Sequence, residues 1–374
     1  MWEVRQGNCT EILAGIDPVA FHAIVTDPPY HLTSPDKRDH RRASPEPSQR
    51  EKHQGGFMNQ AWDGGDVAFR VETWAECLRV AKPGAHLLAF GGTRTYHRLA
   101  CAIEDAGWEV RDCLMWLYGS GFPKSHNLDG EWEGFGTALK PAYEPIILAR
   151  KPLEGTVAQN VQKHGCGALD IDGSRIQGPK GDGVWGTSNK HRNPNEAVRL
   201  NASPGREDFR SEQHEKGRWP ANVLLDQESA AMLDGQSGER GGSGIASGPT
   251  RGKMGTNVCY GSASGDMGES CFYGDSGGAS RFFYTSKASQ DERPEVDGIQ
   301  HPTVKPLDLM RYLVGLVSRE GDLILDPFAG SGTTLAAAVG LGRDAIGIET
   351  NPEYVRLIEA RMRTVTPSLF GGHE

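Results

Sequence analysis

No run of about 18 consecutive apolar residues occurs in the 374-residue chain, so nothing in it reads as a membrane-spanning helix. Cysteine is sparse. The seven residues, at positions 9, 77, 101, 113, 166, 259 and 271, are odd in number and include no C-x-x-C pair. That spacing argues against a zinc site and against a disulfide framework, and no metal is expected. Cys9, Cys77, Cys101 and Cys113 stand in apolar or helical surroundings and read as small buried hydrophobes. The Pro-Cys dipeptide is absent, which removes the nucleophile that methylation at cytosine C5 needs. Gly-Lys-Ser/Thr is absent as well, so no Walker-type phosphate loop is encoded. The formal net charge of −9 excludes a strongly basic coat, though not local basic patches. No heptad or longer repeat is visible. The opening Met1-Trp2-Glu3-Val4-Arg5 lacks a basic-then-apolar leader pattern, and a cytoplasmic protein is expected.

What the chain does contain is concentrated in two segments about 300 positions apart. Asp27-Pro28-Pro29-Tyr30 follows the run His22-Ala23-Ile24-Val25-Thr26. Asp326-Pro327-Phe328-Ala329-Gly330-Ser331-Gly332-Thr333-Thr334 follows Asp322-Leu323-Ile324-Leu325. Short apolar runs ending in Asp read as buried parallel strands with a functional group at the C-terminal edge. Ligands of open α/β sheets bind in the crevice outside those strand ends.

The tetrapeptide suits an exocyclic amino group, a poor nucleophile because its lone pair is delocalised into the ring. The Asp27 carboxylate and the Pro28 carbonyl can accept its two N–H groups and draw the nitrogen toward a pyramidal form. Pro28 and Pro29 fix φ and remove donors, and Tyr30 offers a flat face for an extruded base. In the second segment, Gly330 and Gly332 let the backbone turn tightly and approach a ligand. Thr333-Thr334 then opens a helix whose N-terminal N–H groups are free. Glu349, ending the next predicted strand, is placed to accept two ribose hydroxyls. Together the two segments point to amino-methyl transfer from a nucleoside cofactor.

Asp-Pro-Pro-Tyr followed far downstream by Phe-Ala-Gly-Ser-Gly resembles the S-adenosylmethionine-dependent DNA amino-methyltransferases of the circularly permuted β group. There the catalytic motif precedes the recognition region and the cofactor motif comes last. Gly7-Asn8-Cys9 sits where that family has a short adenine-ring contact. His301-Pro302-Thr303-Val304-Lys305-Pro306 resembles the segment meeting the methionine end of the cofactor. Lys82-Pro83-Gly84 and Phe90-Gly91-Gly92-Thr93-Arg94 also resemble family members. The resemblance implies S-adenosyl-L-methionine held by Asp326, Phe328, Ala329, Gly330, Ser331, Gly332, Thr333, Thr334, Glu349, His301, Thr303 and Lys305. It implies catalysis by Asp27, Pro28, Pro29 and Tyr30, with Asn8 beside Tyr30 in the target-base pocket. Asn8 departs from the acid usual at its position. Asp at the first motif position goes mostly with adenine N6, which makes adenine the expected target. Cytosine N4 is the alternative, and an inactive DNA-binding regulator on the same scaffold a further one. DNA is the expected partner; the resemblance also admits a homodimer and a separate restriction endonuclease.

Along the chain, alternating elements predict a doubly wound, Rossmann-like parallel sheet. Strands are expected at 2–6, 22–27, 85–91, 108–118, 142–150, 322–327 and 345–349. Helices are expected at 10–15, around Val71, Trp74, Leu78 and Val80 up to Pro83-Gly84, and at 93–106, 307–318, 333–342 and 352–364. Residues 1–150 would form the catalytic half, with a mobile loop at 31–56, and 291–374 the cofactor half. Region 151–290 is dense in glycine and reads as an inserted target-recognition region with strand islands near Val223 and Phe283. Lys37, Arg38, Arg41 and Arg42 form a basic cluster for DNA phosphates, and a second scatter runs from Lys180 to Arg210. Asp63 reads as an exposed loop acid, and His97 as a helix-face histidine.

Overall fold

The computed structural model describes residues 1–31, 66–121, 125–176, 217–239, 277–287 and 293–365. Strand β1 (Trp2–Gln6), helix α1 (Cys9–Ala14) and strand β2 (Phe21–Thr26) open the chain. Helix α2 (Val71–Val80) runs without a loop into β3 (Ala81–Phe90). Then come α3 (Tyr96–Asp105), β4 (Glu109–Leu117), β5 (Tyr143–Arg150) and α4 (Val157–His164). Strand β6 (Val223–Asp226), α5 (Gln227–Ser237) and β7 (Tyr284–Ser286) follow. A two-stranded hairpin, β8 (Glu295–Val296) and β9 (Ile299–Gln300), precedes α6 (Leu307–Val317) and β10 (Leu323–Asp326). Helix α7 (Thr333–Gly340), β11 (Asp344–Glu349) and α8 (Pro352–Thr364) complete the order.

The nine strands of the main sheet lie in the order β1-β11-β10-β2-β3-β5-β4-β6-β7. Successive residues of its central strands face opposite sides, the two-residue period of a pleated strand. Leu88, Phe90, Ile146 and Leu148 join a core with α6, α7 and α8, whereas Leu87, Ala89, Ile147 and Ala149 join one with α1, α2 and α3. Covered on both faces, these strands read as continuous apolar runs, and the doubly wound Rossmann-like architecture follows. Among the described residues no helix is long and apolar enough to cross a membrane.

Three features differ from the sequence reading. Strand β5 runs antiparallel to both neighbours, β3 and β4, in an otherwise parallel sheet. An apolar run has the same pattern in either direction, so its sense could not be read locally. Strand β3 begins at Ala81 rather than 85, and Pro83-Gly84 sits inside it, where the pairing with β2 shifts register between Phe21 and Ala23. Pro83 drives Lys82 out of the helical region, so the helix ends earlier than the proline itself. Finally, the sheet does not stop at residue 150. Strand β6 pairs with β4 and β7 with β6, both parallel, while 177–216 and 240–276 of the inserted region lie outside the described residues. Cys101 is also exposed, on the outer side of α3, although Cys9 and Cys77 are buried as expected.

Candidate active site

Because β2, β3, β10 and β11 are parallel, their C-terminal ends share one edge, and antiparallel β5 brings its first residues to that same edge. From the neighbouring pair β10 and β2, the sheet continues through β11 on one side and β3 on the other. Such a switch point opens a crevice at the strand ends. Both motif segments flank it.

The tetrapeptide leaves β2 and is tied to the turn after β3. Thr95 donates its hydroxyl to the Tyr30 carbonyl oxygen at 2.9 Å. A Cβ at Gly92 would lie 3.3 Å from Tyr30 Cδ2, so the glycine admits the ring. The Tyr30 hydroxyl oxygen is 2.8 Å from Asp27 Oδ1 and 2.8 Å from Glu144 Oε2. Burial, with Asp27 and Glu144 beside it, pushes its pKa well above the ordinary phenol value, which keeps the phenol neutral. Lys305 donates to Asp27 Oδ2 at 2.6 Å and to the Tyr30 oxygen at 3.2 Å, and stands 3.1 Å from Glu144 Oε2. Its ammonium also lies 4.9 Å from the centroid of the Phe90 ring. Burial works to lower the Lys305 pKa, but the two carboxylates outweigh it and hold the amine charged.

The second segment forms the neighbouring wall. Asp326, at the end of β10, is buried and accepts from the Thr26 hydroxyl at 2.7 Å and the Phe328 N–H at 3.1 Å. Burial pushes its carboxyl up to about 6, against the hydroxyls of Thr334 and Thr26. Gly330 and Gly332 have φ of +53° and +77°, which side chains rarely adopt. Gly330 donates its N–H to Glu349 Oε2 at 2.8 Å, and Asn351 donates to Oε1 at 2.8 Å. Burial raises the Glu349 pKa while these donors work against it. His301 closes the turn. A Cβ at Gly330 would meet its Nε2 at 3.2 Å, and its ring stands edge-on to Tyr354. Its Nδ1 lies 2.7 Å from the Thr303 carbonyl oxygen and 3.3 Å from the Thr303 nitrogen, which fixes the ring against its own segment. Ala329 is buried beneath the turn, and Phe328 leans toward Trp74. Ser331 and Thr333 lie side by side at the start of α7, where Arg361 reaches the Thr333 hydroxyl. A turn with two glycines in the left-handed region, next to a carboxylate at a strand end, fits a nucleoside with free ribose hydroxyls.

A family model described as DNA methylase, of the N6/N4 methyltransferases, matches residues 21–360. The chain belongs to the DNA methylase family. It is 24% identical over 297 residues to the type II methyltransferase M.HindIII of Haemophilus influenzae, an alignment covering 75% of this chain and 64% of M.HindIII. It is 51% identical over 57 residues to the DNA adenine methyltransferase YhdJ of Escherichia coli, covering 15% of this chain and 19% of YhdJ. The chain thus spans less than two thirds of the length of these curated relatives. Among solved structures, the M1.HpyAVI–SAM complex superposes with a TM-score of 0.43 at 16% identity, covering 97% and 99% of the two chains.

In this chain two expected residues are placed differently. Lys305 comes with the cofactor-like segment, yet its ammonium rests on Asp27, in the cluster with Tyr30 and Glu144. Asn8 stands at the end of β1, beside β11 rather than beside Tyr30. Gly7 donates its N–H to the Glu349 carbonyl, and the Asn8 side chain caps α1 by accepting from Thr10 N–H at 3.0 Å. Two further strands separate β1 from β2, so Asn8 does not stand beside Tyr30. His97 is exposed on α3, as expected. Lys37, Arg38, Arg41, Arg42, Asp63 and the scatter from Lys180 to Arg210 lie outside the described residues. The chain leaves the described fold at His31 and re-enters at Asp66 beside the site, where Ala68 donates its N–H to His31 Nε2 at 3.3 Å. Glu144, which joins the cluster of Asp27, Tyr30 and Lys305, was not singled out in the sequence. Its only signal was a lone acid opening an otherwise apolar strand, and with a parallel strand it would have pointed away from the site.

Proposed function

We propose that this chain methylates N6 of adenine in DNA, with S-adenosyl-L-methionine as donor and the target base turned out of the duplex. The carboxylates and hydroxyl of Asp27, Glu144 and Tyr30 at the switch point, beside the glycine turn and Glu349, carry this reading. Bound in that turn, the donor would supply an electrophilic methyl group on a sulfonium. Asp326–Thr334 would receive it, and the Glu349 carboxylate would accept from its ribose hydroxyls. The chain's own work at the amine is positioning and electrostatics. Asp27 accepts one N–H and the Pro28 carbonyl the other, and the Tyr30 ring offers a stacking face. YhdJ, a DNA adenine methyltransferase by name, supports adenine over cytosine. Phosphates would be gripped partly by Lys37, Arg38, Arg41 and Arg42, and sequence read within 151–290.

Nucleoside analysis of DNA from cells producing the protein tests the reading. N6-methyladenine is expected. N4-methylcytosine alone would overturn the adenine assignment, and no modified base would overturn methyl transfer itself.

A further inference from the structure

Lys305 sets a problem for the chemistry that Asp27 performs. The amino nitrogen becomes cationic as the new N–C bond forms, and a neighbouring carboxylate stabilises that charge. An ammonium held 2.6 Å from the same carboxylate cancels much of its field. Side-chain exposures of 9% for Lys305 and 25% for Asp27 mean that water does little to screen the pair. A lone Asp27–Lys305 pair would therefore present almost no net charge to the target amine.

Glu144 removes the difficulty. Its Oε2 is 3.1 Å from the same ammonium and 2.8 Å from the Tyr30 hydroxyl, and its side chain is 22% exposed. Two carboxylates around one ammonium leave a single net negative charge at the tetrapeptide. The hydrogen bonds also divide between the two acids. Lys305 and Tyr30 each touch both carboxylates, so the plane of Asp27 is fixed from both of its oxygens.

We propose that Glu144 is a positioning residue for methyl transfer: it takes up the charge of Lys305 and, through Lys305 and Tyr30, orients Asp27. Lys305 is correspondingly part of the amine side of the site rather than of the cofactor side. In the transfer, the nitrogen lone pair forms the N–CH3 bond, the C–S pair stays on sulfur, and the nitrogen later sheds one proton to solvent. Glu144 forms no bond to any reacting atom. Its contribution is the field and geometry around Asp27, which matter in the transition state more than in the bound complex.

The inference rests on the tetrapeptide acting on an amine, but not on which base carries it. The test uses the full-length protein, S-adenosyl-L-[methyl-3H]methionine and DNA from a strain without modification enzymes, counting methyl groups transferred. Calorimetry of cofactor binding and thermal melts run alongside. The isosteric E144Q keeps the hydrogen-bonding reach and loses the charge. It should lower kcat by about tenfold or more while KM for DNA and the cofactor Kd stay within about twofold. E144D, which restores the charge, should recover a substantial part of kcat. K305M should likewise reduce kcat and leave the cofactor Kd unchanged. Wild-type kcat in E144Q would overturn the proposal, as would E144D no better than E144Q, or a loss of cofactor affinity in K305M. A wild type that transfers no methyl group at all would instead overturn the functional reading beneath it.

Discussion

Asp27 accepts from Lys305 through Oδ2 and has its Oδ1 2.8 Å from the Tyr30 hydroxyl, whose single proton Glu144 shares, before any base is near. Its removal should strip the site of its central acceptor without touching the glycine turn. Asp27→Ala is expected to abolish methyl transfer while cofactor affinity, measured by calorimetry, remains near wild type. Residue-scale titration gives a second expectation, because two buried groups act in opposite directions in mild acid. His86 is buried on β3, and burial, with Arg150 and Arg111 nearby, lowers its pKa from 6.5 to about 4. The folded state thus binds that proton more weakly than the unfolded chain. The associated stability is complete above 6.5 and is lost as pH falls toward 4. Asp326 is the reverse, raised from 3.8 to about 6, so its contribution is complete below 3.8 and is lost as pH rises through 6. Asp326→Asn should remove that second trend. Relative to wild type, the variant should gain on the order of 2–3 kcal/mol between pH 4 and pH 6 in urea unfolding.

At the scale of elements, a cap helped only where an apolar period accompanied it: α4, with its Thr156–Gln159 capping box, and α5, capped by Asp226, were not expected from the glycine-dense region that holds them. Helix α8 begins at Pro352 after Asn351, whose side chain accepts from the Glu353 N–H, and it runs to Thr364 as expected. The join between α2 and β3 carried no such mark, and its boundary shifted. That join depends on α4. The Asn160 amide donates to the Pro83 and Cys166 carbonyl oxygens, both at 2.8 Å, and accepts from the Glu154 N–H at 2.9 Å. A Cβ at Gly84 would come 2.3 Å from the Asn160 nitrogen, so the strand can approach the amide only as glycine. Asn160→Ala would remove three hydrogen bonds to backbone groups, two of them buried, and leave the Pro83 carbonyl only the Cys166 thiol. It should destabilise the protein by about 2–4 kcal/mol, seen as a lowered urea midpoint with unchanged slope. Catalytic activity at low temperature should survive, because the element lies at the opposite end of β3 from Tyr30.

For the whole molecule, a net charge of −9 and the proposed DNA substrate are compatible only if positive charge is local. Neutralising Lys37, Arg38, Arg41 and Arg42 together should weaken binding across all DNA sequences and flatten the dependence of affinity on salt. Fluorescence titrations at several salt concentrations measure this, and an unchanged slope would remove the cluster from the interface. Chimeras carrying a foreign 151–290 region should methylate a different sequence, while β6 and β7 within it must be retained in kind because they complete the sheet.

The two motif segments, their order and the strand–helix alternation were determined by the sequence itself. Glycines that must turn, prolines that lack donors and acids that end apolar runs carry their physics locally. The Rossmann-like class, the glycine turn and the placing of Asp27 and Glu349 at strand ends could therefore be read directly. Only the tertiary structure decided what surrounds them. Asp27 meets Lys305 across 278 positions and Tyr30 meets Glu144 across 114. Both contacts depend on strand order, and the second on the reversed sense of β5. An apolar run does not record its own direction, and a charged side chain does not record which distant partner will neutralise it.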